Sequence, residues 1–410
     1  MLRHHFRLPD PPETVEFRAF THGLMPHTVP TMMDRFVEDW HTRGVDAWNE
    51  VPNHWVPGSD EPVGWWTLPT YLGDAFIAPM LQAPTGTCIL QPNVHWTMLT
   101  LLTSRGLFDQ HDEVVLTAAE FPSVGHTLQH WADLLGLRLR VVPLDEAGFV
   151  EGSRVLAAIT PRTGLVILSH VGFTTGQLLR TDLLRAAADR VHGFGGLAVV
   201  DGYHATGSIP VDVDALGADV YMGGLLKEAS GSSGNAYVYL RPGLDLVPRA
   251  TGWFGDADPF GFQPSPAPHP DVRQRFQGGT TAVASMYHAV EGLRLLLDAG
   301  LEAVRAASLA LTDRAIARID EAGLPLRSPR DRAARSAMVI LEVEGADRLC
   351  AWLKQRHVYT DSRQGRYLRL APFVWNTDEE VDRTFALISE ALASGRYLET
   401  DAHVATGPVT

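Results

Sequence analysis

Several things are scarce in this chain, and each scarcity excludes a class of protein. Among its 410 residues are two cysteines, Cys88 and Cys350, far apart and each inside an apolar run. That excludes a disulfide framework and reads as two buried free thiols of a reducing compartment. Positive charge is short: 34 Lys and Arg stand against 48 Asp and Glu, the net charge is −14, and no basic stripe breaks that balance. Nucleic acid and anionic membrane surfaces are thereby excluded as partners. No segment approaches the ~18 uninterrupted apolar residues of a membrane-spanning helix. The N-terminal "MLRHHFRLPDPPETVEF" has no apolar stretch of the signal-peptide kind. A soluble, cytoplasmic protein is expected. There is no internal repeat, and the histidines, including His95 and those of "LRHHF", show no metal-ligand spacing, so no metal is expected. Lysine is scarcer still, occurring only as Lys227 and Lys354.

What is present is globular: 45% hydrophobic and 20% charged residues, ample for one large domain and a smaller one. From Cys88 to Leu240 short apolar strands alternate with amphipathic helices. "TCIL" precedes "HWTMLTLLTSRG", "EVVLTA" precedes "SVGHTLQHWADLLG", and "RLRVVPL", "RVLAAITPRTGLVILSH", "TDLLRAAADRVHGFG", "GLAVVDGYHATG" and "ADVYMGG" follow. This alternation predicts an α/β fold with a mostly parallel sheet covered by helices on both faces. After the Pro-rich "FGFQPSPAPHPDV" comes a long helical stretch, then a smaller α+β pattern through "RSAMVILEVEG", "ADRLCAWLKQRH", "RYLRLAP" and "TDEEVDRTFALISEALAS". The expected division is a large domain over 49–290, a small C-terminal domain over 291–400, an N-terminal segment 1–48 packed on the small domain, and a disordered tail, 401–410.

One lysine is oddly placed. In "YMGGLLKEASGSSGNAYVYL", Lys227 follows a buried strand directly, where an ammonium is costly to desolvate. Asp201 sits at the end of the preceding strand, in "GLAVVDGYHATG", with His204 three residues on. Ligands of open α/β sheets gather at that edge. An aspartate and a lysine at neighbouring strand ends suit a pyridoxal phosphate enzyme, the lysine bonding the aldehyde and the carboxylate pairing with the ring nitrogen. Residues alone leave a plainer alternative equally open, in which Asp201 caps a turn and Lys227 reaches solvent.

The wider pattern resembles the kynureninase family of fold-type I, class V pyridoxal phosphate enzymes. The resemblance is carried, in order, by "RGVDAWN", "LPTYLGDAFIAPML", "FPS", "SHVGFTTG", "DGYHATGSIPVDVDALGADV", "K" with "SGSSGNA", "GWFG", "GGTTAVASMY", "AASLALTDRAI" and "DSRQGRYLRLAP". It implies a seven-stranded, mostly parallel sheet with a smaller α+β C-terminal domain, pyridoxal 5′-phosphate as cofactor, and an amino-acid substrate. It also implies roles residue by residue: Lys227 as the Schiff-base lysine, Asp201 as the pyridinium partner, Phe121 stacked on the ring, and His204 beside the cofactor. Asn93 and Val94 of "QPNVH" fall in the phosphate loop. Trp253 and Thr280 match residues reaching the phosphate from a neighbouring subunit, which implies a homodimer with shared sites. Arg369 matches the arginine that clamps the substrate α-carboxylate, and His22 and Gly23 fall where the substrate side chain lies. Each has a bland reading beside it. Phe121 and Trp253 suit packing, Asn93 suits a helix cap, His204 suits a second-layer position, and Arg363 or Arg366 suits the clamp; strand alternation gives Arg369 a modest preference.

Departures from the family fall on its acid/base and substrate-facing positions. The tyrosine before the lysine, a phosphate contact with an assigned proton-transfer role, is Leu226; the aspartate of "FPTD" is Val124. The hydroxyl-rich "DSTS" reads "QPNV", "GNSLG" becomes "THGLMP", and the asparagine of "NYRTG" is Gly172. Lys227, Asp201 and Arg369 remain. Expected, then, is retained amino-acid chemistry on a different side chain: cleavage at Cβ, either kynureninase-like C–C hydrolysis or C–S β-elimination from a cysteine S-conjugate in specialised metabolism. Transamination, decarboxylation with oxidative deamination, and a non-catalytic relative are the alternatives.

Overall fold

The computed structural model describes residues 2–401. Of the tail expected at 401–410, all but the first residue lie outside the described residues. Twelve strands are described: β1 (Val15–Glu16), β2 (Cys88–Gln91), β3 (Glu113–Thr117), β4 (Arg138–Val142), β5 (Thr163–Ser169), β6 (Leu197–Asp201), β7 (Val220–Gly224), β8 (Ala236–Leu240), β9 (Val339–Glu342), β10 (Val358–Tyr359), β11 (Asp361–Arg363) and β12 (Tyr367–Leu370).

Seven of them make one sheet in the order β2-β8-β7-β6-β5-β3-β4. Every pairing from β7 to β4 is parallel, and only β8 runs against its neighbours. The mostly parallel seven-stranded sheet expected from the sequence is therefore the one observed. Its central strands are near-continuous apolar runs because both faces are covered. Period-two alternation divides them: Val166, Leu168, Ala198 and Val200 join one core, while Leu165, Ile167 and Val199 join the core on the opposite face.

A second, three-stranded antiparallel sheet, β11-β12-β9, has its own core of Leu341, Leu368, Leu370, Phe385 and Ile388. The helix Asp378–Ser394 closes that core, opened by a capping box between Thr377 and Glu380 and ended by left-handed Gly395. The N-terminal segment touches both units. β1 pairs with β10, and Val15 and the adjoining Phe17 enter the small core, whereas Phe6, Phe20 and Met32 pack into the large one. Cys88 and Cys350 are free and buried, and burial raises both thiols to about 12. Among the described residues no helix is long and apolar enough to cross a membrane.

This layout places the site. The parallel strands β5, β6 and β7 end side by side, with Ser169 paired to Asp201 and Asp201 to Met222. The segment 18–22 and the β11–β12 hairpin lie across that edge.

Candidate active site

A cavity of about 370 Å³ opens at the carboxyl end of the parallel strands. Its floor comes from the large sheet. Asp201 is the last residue of β6 and is buried there; its Oδ1 accepts the Tyr203 N–H at 2.9 Å, and Oδ2 takes no protein donor among the described residues. Burial raises this carboxyl, opposed by the Tyr203 N–H and by the charge of Lys227. Lys227 stands three residues beyond β7, and its Nζ lies 2.7 Å from His204 Nε2 and 4.6 Å from the centre of the Tyr203 ring. Burial pushes the ammonium down to about 7, against the opposing pull of Glu228 and then Asp201. Burial, with Lys227 next to it, pushes His204 well below the usual histidine range, so the imidazole is neutral.

The chain reaches this arrangement through close backbone packing. A Cβ on Gly224 would meet the Tyr203 ring at 2.2 Å, and one on Gly23 would meet the Lys227 carbonyl oxygen at 2.2 Å. Gly23 also donates its N–H to the Leu226 carbonyl at 3.0 Å. It thus supports the lysine's backbone. His22 is exposed and does not line the cavity, because the turn formed by the Thr21 and His22 N–H groups on the Arg18 carbonyl directs it outward. Phe20 and Thr21 line the cavity instead.

Along one side run the starts of two helices. Asn93 caps the helix Val94–Leu102, its Oδ1 accepting the Trp96 N–H at 2.8 Å. Phe121 caps the helix Pro122–Leu135, with Pro122 at the first helical position, and its ring meets Phe173 edge-on at 5.4 Å. Val94, His95, Ser123 and Val124 complete this side.

The roof belongs to the small sheet. Arg369 is 2% exposed; it donates to the Phe173 carbonyl at 2.8 Å and to Asp361, and its Nε has no acceptor among the described residues. Arg363 donates to the other oxygen of Asp361 at 2.6 Å and lines the same cavity. Arg366 lies outside it, paired with Glu342. Burial lowers Arg369, and Asp361 opposes that shift.

Lys227, Asp201, His204, Phe121, Asn93, Val94 and Arg369 are thus brought to one cavity. Trp253 and Thr280 are not. Trp253 is 38% exposed within an aromatic cluster with Trp66, Phe254, Phe260 and Phe262, and Thr280 lines a separate cavity of about 210 Å³ beside Trp96. Several neighbours went unnoticed in the sequence. Ser169 ends β5 as Asp201 ends β6, a shared strand-end signal. Its hydroxyl donates at 2.5 Å to the buried Glu120, whose carboxyl burial raises to about 7. Glu228 is buried with no hydrogen-bond partner on either oxygen among the described residues, and burial raises it as well. Nothing in the sequence flags Glu228 beyond its place next to Lys227.

The family described as aminotransferase class-V matches residues 96–357, and the chain belongs to it. The chain is also 30% identical over 306 residues to an uncharacterized aminotransferase, YcbU, of Bacillus subtilis (strain 168), a match covering 74% of this chain and 79% of that protein. A kynureninase of Geobacillus thermodenitrificans (strain NG80-2) is 26% identical over 407 residues, covering 94% of this chain and 90% of the relative. Among solved structures, a cystine C–S lyase, C-DES, in complex with cysteine persulfide superposes with a TM-score of 0.80 at 20% identity, covering 94% of this chain and 99% of that one. An apo cysteine desulfurase of Thermococcus onnurineus NA1 gives 0.77 at 21% identity, covering 93% and 95%. These two give the fold. Proteins of this class depend on pyridoxal phosphate. The cavity fits that group: Asp201 offers an open carboxylate oxygen, Lys227 a buried amine, and Phe121 an aromatic face.

Proposed function

We propose that this chain is a pyridoxal phosphate enzyme that cleaves the bond from Cβ of an amino acid to its side-chain substituent, by elimination from a cysteine S-conjugate. When bound, the cofactor supplies an electron sink for charge released at Cα. Asp201 would hold its ring nitrogen protonated and Lys227 would hold its aldehyde carbon. Arg369 orients the amino acid through its carboxylate, its guanidinium fixed beforehand by Asp361 and the Phe173 carbonyl. The Lys227 amine takes the proton from Cα. His204, neutral at 2.7 Å, shares a hydrogen bond with that amine and keeps it aimed. The Cβ–S electron pair leaves with the thiolate, and hydrolysis of the remainder gives pyruvate and ammonia.

The observation that carries this choice is the apolar lining of the cavity by Val124, Val171, Phe173 and Leu226, of which Val124 and Leu226 stand where the resemblance to kynureninases implies an aspartate and a tyrosine. Hydrating a ketone requires positioned acids and bases. Expelling a good leaving group does not. The test is product analysis on kynurenine and a panel of S-substituted cysteines. Thiol with pyruvate from the latter is expected; alanine with anthranilate at high kcat/KM, or carbon dioxide, overturns it.

The same reading includes a homodimer, supported by Trp253 and Thr280 lying outside their own chain's cavity, and a cytoplasmic setting, supported by two buried thiols. Separate apolar cores support a large and a small domain close to the division at 49–290 and 291–400, with Leu293, Leu296 and Val304 joining the large core. The segment 1–48 packs on both domains rather than on the smaller alone, with Phe6, Phe20 and Met32 in the large core and Val15 and Phe17 in the small one.

A further inference from the structure

Of the two helix starts that form one end of the cavity, the second brings the Ser123 hydroxyl, whereas the first, the loop before Val94–Leu102, brings none. Positions 92–94 read Pro-Asn-Val, the Asn93 side-chain oxygen is committed to the Trp96 N–H, and Leu226 brings no phenol. What remains at that first helix start is the pair of N–H groups of Val94 and His95, which donate to no acceptor among the described residues, and the His95 imidazole, which lines the cavity. We infer that His95 is a phosphate-binding residue of this chain, replacing by a charged ring the hydroxyl contacts that its sequence lacks. The inference rests on the cofactor assignment above.

The ring's orientation is decided by its neighbour. The Thr127 hydroxyl donates its only proton to the Ser123 carbonyl at 2.7 Å, so at 3.0 Å it accepts from His95 Nδ1–H. Nδ1 is therefore always a donor, and Nε2 is the atom left for a ligand. A phosphate at the start of this nine-residue helix meets two backbone N–H groups. From the ring protonated at both nitrogens, Nε2–H would give the phosphate a charge-assisted hydrogen bond. The arginines that line the cavity, Arg363 and Arg369, are both tied to Asp361 in the roof, so His95 is the group at this end able to add a positive charge.

The experiment compares pyridoxal 5′-phosphate with pyridoxal, which lacks only the phosphate. Each is titrated into cofactor-free protein and followed by absorbance. His95→Ala is expected to weaken binding of the phosphorylated form by about tenfold or more, the scale of one charged hydrogen bond, and to leave pyridoxal unchanged. His95→Lys should recover part of the loss. Thr127→Val, which removes the ring's anchor at nearly constant volume, should give a smaller loss of the same selectivity. Equal weakening of both ligands, or no change in either, overturns the inference. A wild-type protein that binds neither ligand overturns the cofactor assignment itself, and this inference with it.

Discussion

The floor of the cavity, from the large sheet, and its roof, from the small one, treat buried charge in opposite ways. On the floor Lys227 is enclosed with no carboxylate of the described residues in salt-bridge contact, and its ammonium falls to about 7. Around it Glu120 and Glu228 rise toward the same value, and His204 is neutral. In the roof Arg369 is equally buried but bonded to Asp361, which Arg363 holds from the other side. Desolvation alone suppresses charge; desolvation with a bonded counter-ion preserves it. The chemistry needs both: a neutral amine that attacks and takes a proton, and a permanent cation that fixes a carboxylate.

The strongest way to break this comparison is at the floor. Lys227→Ala is expected to abolish the absorbance band at about 420 nm that the bound cofactor gives, and to lower kcat by about a thousandfold or more. A variant that keeps both refutes the floor's role. Next comes Glu120→Gln. Because the folded carboxyl is raised from 4.5 to about 7, the wild-type fold binds more protons than the unfolded chain, and it loses stability as pH rises between those values. The loss is about 3 kcal/mol at most. The glutamine variant should lack that slope, so its Tm relative to wild type rises from pH 5 to pH 8; parallel Tm curves would show a group that is charged without penalty. The smallest effects belong to the roof. Arg369→Lys keeps a charge but loses the fork, and KM for the amino acid should rise by about tenfold with kcat less affected. Asp361→Asn should raise it less, since only the brace is weakened. A larger effect from Asp361→Asn than from Arg369→Lys would mean that Asp361 itself meets the substrate.

Much of the floor was legible in the sequence. Asp201 and Lys227 follow apolar runs whose alternation with helices marks them as parallel strands, and parallel strands deliver their ends to one edge. The roof was legible by half. Period-two alternation in β12 singled out Arg369, and Arg366 does lie outside the cavity. Arg363 and Asp361 were missed as neighbours because they belong to the facing strand. Gln364 and Gly365, both left-handed, form the tight turn that sets Asp361 opposite Arg369 and brings the hairpin back on itself. Only that register reveals the shared carboxylate. Gly23 was noticed for its place near the substrate, yet its backbone contact with Lys227 becomes visible only when residues two hundred apart are folded together.

The sequence by itself determined the strands, their direction and the residues at their ends, because these follow from local periodicity and from glycine and proline punctuation. The tertiary structure alone decided which charges survive. A group's ionisation depends on the solvent it loses and the counter-ions it meets, and both are set by segments remote in the chain.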